Sequence, residues 1–154
     1  MNPEIRRRTA WMLLGASAFV APMAWAALPA VYTGFFSQTA LGGYDPVAFF
    51  EMNKPVKGDA QFTHDYSGVH WRFVNAAHRE LFAANPQAYA PQYGGYCAWA
   101  VAEGSTASGD PMFWKIIDGK LYLNYDAEVQ KRWEKDIPGF IAKADKNWPS
   151  VLGR

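Results

Sequence analysis

The 154-residue sequence predicts an α+β fold: a small antiparallel sheet built from hairpins, packed helices and a C-terminal helical pair. Three observations predict it. Ser67-Gly68 and Asp118-Gly119 each separate two apolar-rich runs by two turn-forming residues, the signature of a tight hairpin. Asn75 and Asp126 each stand just after a hairpin and just before a stretch of helix-forming residues, where an N-cap belongs. No long alternation of strand and helix is present to suggest a parallel sheet.

In chain order, residues 27–43 read as an extended, uncharged lead-in. The turn Tyr44-Asp45-Pro46 is followed by Val47 to Glu51, whose short apolar run predicts a strand. Gln61 to Tyr66 and Val69 to Val74 form the first hairpin, with Val69, Trp71 and Phe73 on the buried face and His70 and Arg72 on the wet one. Asn75 caps a helix from Ala76 to about Asn85, ended by Pro86, with Ala77, Leu81, Phe82 and Ala84 toward the sheet. A short segment around Gln87-Ala88-Tyr89 leads to Pro91 and the Gly94-Gly95 pair. Phe113 to Ile117 and Lys120 to Tyr125 form the second hairpin, and Asp126 caps a helix to Asp136 in which Val129 and Trp133 share a face. Pro138 opens the last helix, with Phe140, Ile141, Ala144 and Trp148 on its apolar stripe. No internal repeat or dividing linker is expected, so residues 44–150 form one domain.

Residues 1–26 have the layout of a signal peptide. Arg6, Arg7 and Arg8 precede the apolar stretch Ala10 to Ala21, and Ala24-Trp25-Ala26 supplies small residues before Ala27. Export to the periplasm or beyond follows, by the Sec or twin-arginine route; an uncleaved N-terminal membrane anchor is the rival reading. Removing Glu4 and the three arginines from 14 Asp+Glu and 15 Lys+Arg turns the net charge from +1 to −1. A near-neutral surface gives no electrostatic basis for nucleic-acid binding. With half the chain hydrophobic and 16% aromatic, the remainder can fill a core.

Chemistry concentrates on one residue. Cys97 is the only cysteine, so an exported chain offers it no internal disulfide partner. Gly94 and Gly95 before it permit a tight turn that aims amides at a thiolate, and this predicts a partly accessible, reactive thiol. The alternative is a structural cysteine packed among Tyr96, Ala98 and Trp99. His64, His70 and His78 are the histidines, and their spacing matches no strong metal motif. Asp45 either orients a ligand or histidine or caps its own turn; the turn cap is preferred. Tyr93, Tyr96 and Trp99 are candidates for a ligand wall, although aromatics at such positions are more often core. Paired carboxylates, a Ser-His-Asp signature, a phosphate loop, a dinucleotide fingerprint and C-x-x-C are all missing from the sequence.

The run from Gly43-Tyr44-Asp45-Pro46-Val47-Ala48-Phe49-Phe50 through Asn85-Pro86-x-x-Tyr89, Tyr93-Gly94-Gly95-Tyr96-Cys97-Ala98 and Asp118 to Asn124 resembles the YHS domain family. It is most similar to the exported bacterial YHS domain-containing (seleno)proteins, over roughly residues 40–150. The resemblance implies a binding module for a copper-type or other soft metal ion, or for a small ligand. Metal-type members carry cysteines at positions held here by Ala48, Val74 and His78, so Cys97 with His78 is the metal-ligand pair it implies. Some seleno-type members place selenocysteine where this chain has Cys97, which implies redox or soft-metal chemistry there, with an external thiol or metal-handling partner.

Overall fold

The computed structural model describes residues 26–153, and the expected signal peptide lies outside them save for its last residue. Among the described residues no helix is long and apolar enough to cross a membrane. The fold is α+β, as expected, with two separate two-stranded antiparallel sheets.

After a 3-10 turn at Ala40–Gly43 comes helix α1, Ala48–Glu51. The predicted strand at Val47 to Glu51 is therefore a helix. Its cause is the Asp45 side chain, whose Oδ1 accepts from the N–H groups of Val47 (2.8 Å) and Ala48 (3.2 Å) and so starts a helical turn. Strands β1, Asp59–Tyr66, and β2, Val69–Phe73, pair through Ser67 and Gly68, both at positive φ (52° and 75°) as the tight turn requires. Trp71 and Phe73 are buried and His70 is exposed, as the alternation predicts. Helix α2, Ala76–Ala84, begins at Asn75, whose Oδ1 accepts from the His78 N–H at 2.8 Å. Its buried face differs from the expected one: His78 and Phe82 point inward, while Ala77, Leu81 and Ala84 are exposed. A polar residue was thus hidden within the core stripe. Helix α3, Pro86–Tyr89, closes this half.

The second half starts at the 3-10 turn Gln92–Gly95 and helix α4, Ala98–Ala102. Strands β3, Asp110–Ile117, and β4, Lys120–Asn124, turn at Asp118 and Gly119, again both at positive φ (50° and 74°). Helix α5, Ala127–Trp133, is capped by Asp126, and helix α6, Ile137–Asn147, by Asp136. A last 3-10 turn, Ser150–Gly153, buries Val151 and Leu152.

These halves repeat one plan, contrary to the expectation of no internal repeat. Leu41, Gly42 and Gly43 (φ 54°, 57°, 84°) are matched by Tyr93, Gly94 and Gly95 (55°, 59°, 84°). The Asp45 N–H donates to Val56 O at 2.8 Å, and the Cys97 N–H donates to Ala107 O at 2.9 Å. The Gly58 N–H reaches Gly43 O at 2.9 Å, and the Gly109 N–H reaches Gly95 O at 3.1 Å. Both hairpins carry a register irregularity near their outer end, at Asp59/Thr63 and at Asp110/Trp114. Each is followed by a capped helix whose last core aromatic, Phe82 or Trp133, meets an aromatic of the preceding strand, Trp71 or Tyr122. Equivalent positions lie 52 residues apart up to Ala48 and Ala100, and 51 apart from Val56 and Ala107 onward.

One core cluster joins the halves, with Val47, Phe49, Trp71, Phe73 and Phe82 packed against Leu121 and Leu123. The second gathers Tyr93, Tyr96, Val101, Tyr122, Trp133, Ala144, Val151 and Leu152. The lead-in straps across this second half: the Tyr32 N–H donates to Gly94 O at 2.9 Å and the Leu28 N–H to Leu152 O at 2.9 Å. The strap passes so close that a Cβ on Gly94 would stand 1.8 Å from Ala30 O, which is why that position takes glycine.

Candidate functional site

Two side chains hold the equivalent place in the two halves, Asp45 in the first and Cys97 in the second. Asp45 is fully buried, and every acceptor direction of its carboxylate is used. Oδ1 takes the Val47 and Ala48 N–H groups, and Oδ2 takes the Val74 N–H at 2.9 Å and the His78 Nδ1–H at 2.6 Å. The expected turn cap is present, and the less favoured role of orienting a histidine is present with it. The His78 side chain is 11% exposed.

Cys97 receives the same three main-chain donors. The N–H groups of Ala100, Tyr125 and Trp99 act to favour its thiolate, and Trp99, Ala100 and Tyr125 are the equivalents of Val47, Ala48 and Val74. Where the first half adds His78, the second has Val129, and Asn124 supplies the side-chain contact instead: Sγ–H donates to Asn124 Oδ1 at 3.7 Å. The Trp99 N–H also reaches that oxygen, at 3.4 Å. Asn124 is itself fully buried.

The expected accessible thiol is not found. Cys97 has no solvent-exposed surface, because β4 and α4 close over it; the register places it beside Leu123. Burial pushes the Cys97 thiol up, the three N–H groups pull it back down, and the nearby Asp126 charge raises it slightly. The rise wins, so the closed site holds a neutral thiol at neutral pH.

The other expected residues are dispersed. Cys97 and His78 are bound to different partners, Asn124 and Asp45. Among the described residues no group of three or more His, Cys, Asp or Glu side chains is arranged to hold a metal ion. His70 pairs with Asp65 at an exposed strand position, and His64 meets the ring of Phe82. Tyr93 and Tyr96 are buried, with hydroxyls donating to Asp145 (2.7 Å) and to Pro29 O (2.9 Å). Trp99 lies under the Arg132 guanidinium. These three aromatics hold structure together and form no common ligand wall. An open cleft of about 500 Å³ lies between the halves, bordered by Leu41 and Gly42 on one side and by Gly95, Leu123, Tyr125 and Asp126 on the other. Cys97 sits behind this wall, not in it.

Sequence reasoning missed Asn124 and the link from Asp45 to Val74 and His78. An asparagine at the end of an apolar strand, and a helix stripe with histidine where a core residue belongs, were the signals present. Comparison with protein-family models, curated proteins and solved structures gave no match.

Two predictions follow from this geometry. Asp45→Asn turns one acceptor oxygen into an NH2 group facing N–H donors, so it should cost about 3 kcal/mol in urea unfolding, the range for breaking a buried charge-assisted network. A loss below about 1 kcal/mol would show that the carboxylate organises little. The second concerns pH. The folded thiol keeps its proton above the ordinary value of about 9, whereas the unfolded chain releases it, so folding stability falls as pH rises past that point. Cys97→Ser should show a flatter stability curve from about pH 8 to 9.5, and because the buried tyrosines contribute the same fall to both proteins as the unfolded chain ionises near pH 10, the difference between the two curves reports the thiol.

Proposed function

We propose that this protein is an exported, YHS-like thiol redox module in which Cys97 exchanges with an external thiol or disulfide. The observation that carries the reading is the place of Cys97: it holds the position that Asp45, bound by main-chain N–H groups, holds in the first half, and the N–H groups of Ala100, Tyr125 and Trp99 favour its thiolate against the cost of burial. Donors placed to satisfy an anion stabilise a thiolate once the burial penalty is relieved. In the closed molecule that penalty keeps the thiol protonated and unreactive. Opening along the wall formed by Leu123 and Tyr125 would let in water while leaving the α4 N–H donors in place, and the thiolate then forms. It attacks a disulfide RSSR, giving Cys97–S–SR and releasing RS⁻; a second external thiol reverses the step.

The resemblance to seleno-type relatives supports the same reading, because their reacting atom falls at Cys97. A copper-type ion finds weaker support: the sulfur's neighbouring side-chain donor is the hard amide oxygen of Asn124. Incubation of the folded protein with excess oxidised glutathione, followed by intact-mass measurement, tests the proposal. One reversible mixed disulfide should form on the wild type and none on Cys97→Ser. Its failure to form on folded protein, when urea-unfolded protein is fully modified, would refute the redox reading. Stoichiometric copper(I) binding lost in Cys97→Ser would favour the metal reading instead.

A further inference from the structure

Two buried side-chain donors of the second half have no hydrogen-bond partner among the described residues: Asn124 Nδ2 and Trp133 Nε1. Such groups are rare, and each unmade bond costs about 1–3 kcal/mol. They occupy the positions of Phe73 and Phe82 in the first half, whose rings touch at 5.2 Å. The second half has thus replaced an apolar aromatic pair with two N–H donors, and the other amide atom of one of them, Asn124 Oδ1, meets the Cys97 sulfur. Both groups only donate, so each is satisfied by an acceptor and not by a further donor.

We propose that Asn124 and Trp133 form a recess for an oxygen atom carried by Cys97, and that the oxidant this site serves is a hydroperoxide. The inference rests on the thiol reading above and adds the class of oxidant and the residues that hold its product. The step balances: Cys97–SH and ROOH give Cys97–SOH and ROH, the sulfur losing two electrons and the O–O bond accepting them. Hydrogen peroxide is scarcely larger than water and needs a smaller opening than a disulfide does. With no second cysteine in the chain, the sulfenic acid has no intramolecular thiol to condense with. Sealed from bulk solvent and bonded to two donors, it persists until an external thiol arrives. That thiol gives Cys97–S–SR and water, and a second regenerates Cys97–SH with release of RSSR.

The test treats folded wild type with hydrogen peroxide and follows the single-oxygen adduct at Cys97 by intact mass and by a dimedone probe. Trp133→Phe keeps the ring and removes the donor, so the adduct's lifetime should shorten by about tenfold, the factor expected for one hydrogen bond. The indole N–H resonance of Trp133 in the unmutated protein should also move on oxidation, a readout independent of any variant. Absence of the adduct in folded wild type, an unchanged lifetime in Trp133→Phe, or an indole resonance that stays in place would each overturn the proposal. Glutathione exchange without a peroxide adduct would sink this inference and leave the thiol reading standing; failure of both would sink both.

Discussion

The Asp45 carboxylate is the constraint on which the first half of the molecule depends. A fully buried charge is tolerated only when its bonds are complete, and Asp45 completes them with groups from three places in the chain. Val47 and Ala48 belong to the turn into α1, Val74 to the exit from β2, and His78 to the first turn of α2. One side chain therefore fixes how the opening turn, the hairpin and the helix meet. The apolar cluster of Phe49, Trp71, Phe73 and Phe82 then packs on an arrangement that is already specified. Burial of those aromatics supplies most of the driving force, but it is non-directional, and the carboxylate supplies the direction.

The second half keeps the backbone of this device and changes its chemistry. The equivalent three N–H groups now favour a thiolate, the histidine position is Val129, and the aromatic pair of the first half has become Asn124 and Trp133. A carboxylate with all its acceptor directions filled needs no opening and is structural. A thiol in the same bracket is neutral while sealed and can become an anion when solvent reaches it. On the proposed function, this difference separates a clamp from a site.

Much of the fold was legible locally. The Ser67-Gly68 and Asp118-Gly119 turns, the Asn75 and Asp126 caps and the Pro138 helix start each rest on bonds within a few residues, which sequence patterns report well. The run from Val47 to Glu51 misled because a short apolar stretch has no period long enough to separate strand from helix, and the deciding bond comes from Asp45. The repeat escaped because its matches, such as Gly42-Gly43-Tyr44 and Gly94-Gly95-Tyr96, are sparse and the spacing slips by one residue between α1 and β1. Cys97 stood out in the sequence as the lone cysteine, and of the two readings, accessible thiol and packed cysteine, the structure has the buried one. The strands and helix that close over it are distant in sequence, and no local pattern encodes their closure. Asn124 looked like the end of a strand; its role depends on a partner 27 residues away.

The claim that Cys97 sits in an anion bracket is tested most directly by placing an anion there. Urea unfolding of Cys97→Asp at neutral pH, set beside the apolar, volume-matched Cys97→Val, makes the comparison. If the bracket is as described, the aspartate is held by Trp99, Ala100 and Tyr125 as Asp45 is held by their counterparts. Cys97→Asp then folds and is at least as stable as Cys97→Val. A sealed apolar pocket would instead reject the charge, leaving Cys97→Val folded and Cys97→Asp destabilised by several kcal/mol.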